Sequence, residues 1–191
     1  MNKFVEQYAH AFRTTGTTKL TQQYQNFYAE MMMGVDVGSV LEIGVYLGQS
    51  LKAWRMIWPQ ALIEGVDLDR RYDPSLEEEF KIYNFDSQVT DKVNKNISRH
   101  YDVVIDDGLH NWRSQLMTFD NFQKFTNKYY VIEDICGEYS LEKITRKLPK
   151  AVLDRSTTFR ALGPTRDFIH DGLLEKRGQY HIMFIDMEQG E

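Results

Sequence analysis

The sequence predicts an α/β fold: a mostly parallel seven-stranded sheet with an antiparallel C-terminal edge and helices on both faces. Two observations carry this. From Ser39 onward, short runs rich in strand-forming residues alternate with helical patterns: SVLEIG then SLKAWRMIW, ALIEGVD, KIYNF then a polar amphipathic stretch, YDVVID then WRSQLMTFDNFQKF, and YYVIED then EYSLEKITRKL. Such alternation reads as βαβ units, whose crossovers make neighbouring strands parallel. The tail departs from it, because AVLDRSTTFRAL and YHIMFIDM are two strand-like runs separated by a loop containing Gly163, Pro164 and Gly172. Two such runs suit an antiparallel edge on a parallel sheet. In residues 1–33, Phe4, Tyr8 and Phe12, then Tyr24, Phe27, Tyr28 and Met31, fall near helical spacing and predict two helices broken at Thr14–Thr18. The expected organisation is one domain, with residues 1–33 as a helical cap on an α/β core of residues 39–191. Glu77, Glu78 and Glu79 read as a solvated face.

The 191 residues, 42% of them hydrophobic and 13% aromatic, suffice for a sizeable core. The single cysteine, Cys136, allows no internal disulfide or cysteine-based zinc site and suits a reducing compartment. No apolar run reaches the length of a membrane span, and MNKFVEQYAHAF lacks the unbroken apolar stretch of a signal peptide. A cytoplasmic protein is therefore expected. A formal charge of −5 without a Lys/Arg cluster argues against nucleic acid as partner and for small molecules. Neither a membrane partner nor an obligatory oligomer is called for, and self-association is left open.

In VLEIGVYLGQS, Glu42, Gly44 and Gly48 stand where a buried strand turns into a helix, the place where open α/β sheets bind ligands. E-x-G-x-x-x-G is not the dinucleotide fingerprint, and Glu42 near the site suits a cationic ligand such as an aminoacyl sulfonium. Asp67 ends the next strand about 20 residues on, where a carboxylate can accept ribose hydroxyls. Asp86-Ser87 ends the strand after that, placed either to meet an adenine amino group or to cap a helix.

YDVVIDDGLH ends one strand with two carboxylates and a histidine, and YYVIED ends its neighbour with two more acids. Parallel neighbours bring both ends to one edge, so Asp107, Glu133 and Asp134 can surround a hard divalent cation, with helix capping as the alternative. His110, three residues after Asp107, stands where a general base is needed. His10, His100, His170 and His181 read as structural or surface residues. Cys136, Trp54, Trp58 and Trp112 read as core.

TGTTKLTQQYQNFY, VLEIGVYLGQSLKAW, GVDLD, YDVVIDDGLH and YVIEDI, in that order, resemble the macrocin and mycinamicin sugar O-methyltransferases, a group that includes cephalosporin hydroxylase-like proteins. The resemblance covers residues 13 to 136 and implies a Rossmann-like class I S-adenosylmethionine (SAM) methyltransferase. It implies SAM binding by Glu42, Gly44, Tyr46, Gly48 and Ser50, by Asp67 and Leu68, by Asp86 and Ser87, and by Asp106. It further implies Mg2+ on Asp107, Glu133 and Asp134, with His110 as base, a layout similar to that of catechol O-methyltransferase, where a lysine follows a metal aspartate by three residues. The expected reaction is methyl transfer to a hydroxyl of a sugar or natural-product-like small molecule. Two departures stand out. The family's G-T-D-K followed by histidine and tyrosine reads GTTK with Gln22-Gln23-Tyr24 here, and its DDG-S-H reads DDGLH. The altered GTTK segment leaves two alternatives, a SAM-binding regulatory component without turnover and a SAM-cleaving enzyme.

Overall fold

The computed structural model describes residues 3–162, 168–170, 173–175 and 179–188, with side chains for 3–161 and 180–188. The N-terminal helices are α1 (Lys3–Thr15) and α2 (Tyr24–Met31), with a single 3₁₀ turn, Thr18–Leu20, between them. The sheet then forms through β1 (Ser39–Ile43), α3 (Gln49–Ile57), β2 (Leu62–Asp67), the one-turn α4 (Leu76–Glu79), β3 (Lys81–Asn84), α5 (Thr90–Asn96), β4 (Tyr101–Asp106), α6 (Trp112–Phe122), β5 (Thr126–Cys136) and α7 (Gly137–Lys147). It closes with α8 (Lys150–Leu153), β6 (Ser156–Leu162), a small ribbon of β7 (Phe168–His170) and β8 (Leu173–Glu175), and β9 (Gln179–Asp186).

The seven-stranded sheet has the order β3-β2-β1-β4-β5-β9-β6. Its first five strands are parallel, and β9 runs antiparallel to both β5 and β6. This is the mixed sheet expected, with one refinement: the last strand in sequence lies inside and β6 lies at the edge. The run AVLDRSTTFRAL also divides, its start turning once as α8 before the chain extends at Ser156. The expected loop before β9 contains the β7–β8 ribbon, while Gly163, Pro164 and Gly172 lie outside the described residues. Glu77, Glu78 and Glu79 are exposed, as expected of a solvated charge run.

Period-two alternation sends the strand side chains into two apolar layers. Val40, Val103 and Val131 pack with Tyr8, Phe12, Tyr28 and Trp54 of α1, α2 and α3. Leu41, Val104 and Ile132 pack with Phe119, Phe122 and Ile144 of α6 and α7. The strand order reverses between β1 and β4, which leaves a crevice beyond their carboxyl ends. No helix among the described residues is long and apolar enough to cross a membrane.

Candidate functional site

A cavity of about 310 Å³ lies in that crevice. Gly44, Tyr46, Asp67, Leu68, Asp86, Ser87, Asp107 and His110 line it, together with Leu109 and Phe85. The turn after β1 can sit this deep because of two glycines. At Gly44 (φ +92°) a Cβ would fall 2.1 Å from the Asp107 carbonyl oxygen, so the ends of β1 and β4 touch through bare backbone. At Gly48 (φ +79°), which precedes the first turn of α3, a Cβ would fall 2.2 Å from Leu76 Cδ2.

Asp67 stands where expected, but its oxygens are in use. Oδ2 accepts from the Val45 and Tyr46 amides at 2.8 Å each, and Oδ1 accepts from the Asp69 amide at 2.8 Å. The carboxylate therefore holds the β1–α3 turn as well as facing the cavity, and it steadies Tyr46 at φ +50°. Asp86 Oδ1 accepts from the Gln88 amide at 2.9 Å, and neither Asp86 nor Ser87 caps α5, whose N-cap is Val89.

Glu42, Gly48, Ser50 and Asp106, expected at the cofactor, do not line the cavity. Glu42 is fully buried behind it, accepting from Ser50 Oγ at 2.5 Å and Trp54 Nε1 at 3.2 Å. Asp106 points into the interior, where its Oδ2 has no hydrogen-bond partner among the described residues. Burial pushes its carboxyl up to about 7.

The acids at the ends of β4 and β5 do not cap helices, since α6 begins at an Asn111 cap that accepts from the Ser114 amide and α7 follows Cys136. Asp107 Oδ1 lies 3.1 Å from His110 Nε2, and Asp134 Oδ2 lies 3.7 Å from His110 Nδ1. One donor atom from each of Asp107, His110 and Asp134 falls within 4.8 Å of the others, a spacing that a single ion can span. Glu133 is not in this group. Its Oε1 accepts from the Tyr28 hydroxyl at 2.5 Å and its Oε2 contacts the Lys19 ammonium, both contacts being buried. Asp134 adopts φ +51° at an irregularity in the β5–β9 ladder. Tyr24 supports that conformation, its hydroxyl donating to Asp134 Oδ1 at 2.5 Å and accepting from the Asp134 amide at 3.1 Å. Gln22 donates to the same Oδ1 at 2.6 Å.

The residue that sequence reasoning missed is Lys19. Only 1% exposed, it donates to Asp107 Oδ2 at 2.8 Å, contacts Glu133, and lies 3.4 Å from Glu42 Oε1. Its one signal was its place in the GTTK segment, which by itself names no partner. Burial alone would depress its ammonium, but Asp107, Glu133 and Glu42 outweigh that and hold it well above the ordinary range. Conversely, burial pushes Glu133 and Asp134 up, whereas Lys19 and His110 hold Asp107 low. Burial would lower His110 too, yet Asp107 and Asp134 raise it to about 9.

No protein-family model matches the chain, and no curated protein matches it in sequence. Solved structures do. MycE methyltransferase from the mycinamycin biosynthetic pathway, in complex with Mg and SAH, gives a TM-score of 0.66 at 19% identity over 97% of this chain and 56% of MycE. The O-methyltransferase TomG from Streptomyces achromogenes, in complex with SAM, gives 0.57 at 11% identity over 99% of this chain and 91% of TomG. A SAM-dependent O-methyltransferase from Thermotoga maritima gives 0.58 at 11% identity over 96% and 72%. The fold is that of SAM-dependent O-methyltransferases. Within it this chain spans little more than half the length of MycE, 56%.

Of the other residues singled out in the sequence, Cys136, Trp54 and Trp112 are buried as expected and Trp58 is partly so. His10 and His100 are exposed, His181 is buried within β9, and the side chain of His170 lies outside the described residues.

Proposed function

We propose that the chain is a SAM-dependent O-methyltransferase acting on a hydroxyl of a small molecule, sugar-like or natural-product-like, with a divalent cation, Mg2+ first, at the Asp107–Asp134 edge. The observation that carries this reading is the meeting of two elements in one cavity. One wall is the turn at Gly44 and Tyr46 with Asp67, Leu68, Asp86 and Ser87, and the other is Asp107 and His110, with Asp134 buried next to the His110 ring. A cavity of about 310 Å³ falls at the small end of the range for ligand sites, roughly 300–1,000 Å³.

The residues present fit both groups. Among the described residues, Lys19 meets Glu42, Asp107 and Glu133, and His110 meets Asp107 and Asp134, so the two acids at His110 offer oxygens that a divalent ion can join. SAM, held along Asp67, Leu68 and the Gly44 turn, would supply the electrophilic methyl group. A hard divalent cation, held by acids drawn from Asp107, Glu133 and Asp134, would lower the pKa of the acceptor hydroxyl. The protein's own part is to orient and to accept a proton. Asp107 and Asp134 hold the His110 ring from two sides, one ring nitrogen facing each, and His110 takes the acceptor proton as the oxygen attacks. Leu109, beside His110 and 60% exposed, presents an apolar wall to the acceptor.

Turnover of SAM with and without candidate hydroxyl acceptors, followed by mass analysis, tests the reading. A methylated acceptor supports it. Consumption of SAM without an acceptor supports the cleavage alternative, and binding without consumption supports the regulatory one.

A further inference from the structure

Glu133 stands apart from the Asp107–His110–Asp134 group, buried and with a partner on each oxygen. Oε1 takes the Tyr28 hydroxyl and Oε2 takes Lys19, and the carboxylate is 1% exposed. Asp107 is divided, with Oδ2 on Lys19 at 2.8 Å and Oδ1 facing His110 at the cavity. Asp134 is divided in the same way, with Oδ1 on Gln22 and Tyr24 and Oδ2 facing His110. The ammonium is anchored from a fourth side, because Lys19 Nζ lies 5.6 Å from the centre of the Trp54 ring, and Trp54 in turn donates to Glu42. A buried carboxylate needs a counter-charge or donors, and Lys19 serves Glu42, Asp107 and Glu133 at once.

We propose that Lys19 is the permanent cation of this site, keeping Glu133 out of metal coordination, so that each chain holds one divalent ion between Asp107 and Asp134. The proposal rests on the metal reading above and narrows it. Two carboxylates with the remaining positions left to water and acceptor oxygens are the usual protein share of a Mg2+ site. A third carboxylate already neutralised by an ammonium gains little from the ion. An ammonium so close to the ion also repels it and keeps its affinity moderate.

Mn2+ titrated into the metal-stripped full chain and followed by calorimetry tests this, with circular dichroism melts reporting that each variant is folded. The wild type should bind one Mn2+ per chain. Glu133→Gln, which removes a charge beside Lys19 but no ligand, should weaken binding by only about threefold, whereas Asp134→Asn should bind at least about tenfold more weakly. Lys19→Met, which removes the repulsion and frees Glu133, should bind about tenfold more tightly. If Glu133→Gln weakens Mn2+ as much as Asp134→Asn does, Glu133 is a ligand and the proposal is overturned while the metal reading stands. A folded Lys19→Met with wild-type affinity also overturns it. Absence of Mn2+ binding in the wild type overturns the metal reading itself and this proposal with it. Should Lys19→Met not fold, the comparison of Glu133→Gln with Asp134→Asn decides alone.

Discussion

At the scale of single residues, His110 carries the sharpest consequences. A general base must be neutral to act, so turnover should rise with pH through its apparent pKa. Asp107 and Asp134 place that value near 9 in the metal-free protein, and an ion on the same two acids should move the rising limb to lower pH. His110→Ala should lower turnover by about 10² to 10⁴ with SAM affinity nearly unchanged. Near-normal turnover per folded molecule would leave the mechanism without its base. Stability should carry the same residue's signature. The folded pKa lies above the unfolded value, so the contribution of His110 is fully present below about 6.5 and is lost as pH rises through about 9. Asp106 acts in the same sense lower on the scale. Its folded value of about 7 exceeds the unfolded one, so stability should fall between about pH 4 and 7 by roughly 1.4 kcal/mol per unit. Denaturant midpoints for Asp106→Asn should lose that slope, and an unchanged slope would assign it to another group.

At the scale of elements, the β1–α3 turn and the end of β5 hold the site in shape. Gly44→Ala must open the contact between β1 and β4, because its Cβ meets backbone rather than a flexible side chain. A loss of at least about 1–3 kcal/mol is expected, from overpacking and from the positive φ together, and urea unfolding measures it. Asp67→Ala removes the acceptor of the Val45, Tyr46 and Asp69 amides, so SAM affinity should fall together with order in that turn. Calorimetry finding unaltered SAM binding would remove Asp67 from the cofactor site. Tyr24→Phe leaves the Asp134 amide without its acceptor and should cost about 1–3 kcal/mol. Unchanged stability in that variant would mean that α2 does not hold the end of β5.

At the scale of the whole molecule, α1 and α2 do more than cover the sheet. Tyr8, Phe12 and Tyr28 belong to the same apolar cluster as Val40, Val103 and Val131, and the turn between the helices delivers Lys19 to the acids. The helices and this face of the sheet should therefore unfold together, in one calorimetric transition rather than two. A separate low-temperature transition that releases the helices while the sheet persists would sink that expectation and would loosen the site before the core.

How much of this was legible in the sequence depends on the range of the interactions concerned. Strand and helix runs, the glycine turn after β1 and the acids ending β2, β4 and β5 could be read from local pattern, because period, turn chemistry and strand ends are properties of neighbouring residues. The helical turn of α8 was missed, since four residues of mixed propensity carry too little signal. The division of labour among the acids was invisible as well. Glu42 and Glu133 read as cofactor and metal residues because each sits at or near a strand's carboxyl end. What decides their roles is Lys19, 88 residues from Asp107 and 114 from Glu133. The sequence by itself determined that a parallel sheet would gather carboxylates and a histidine at one edge. Only the tertiary structure decided which carboxylates face the cavity and which face a buried ammonium, because the energy of a buried charge depends on the partners that packing brings to it.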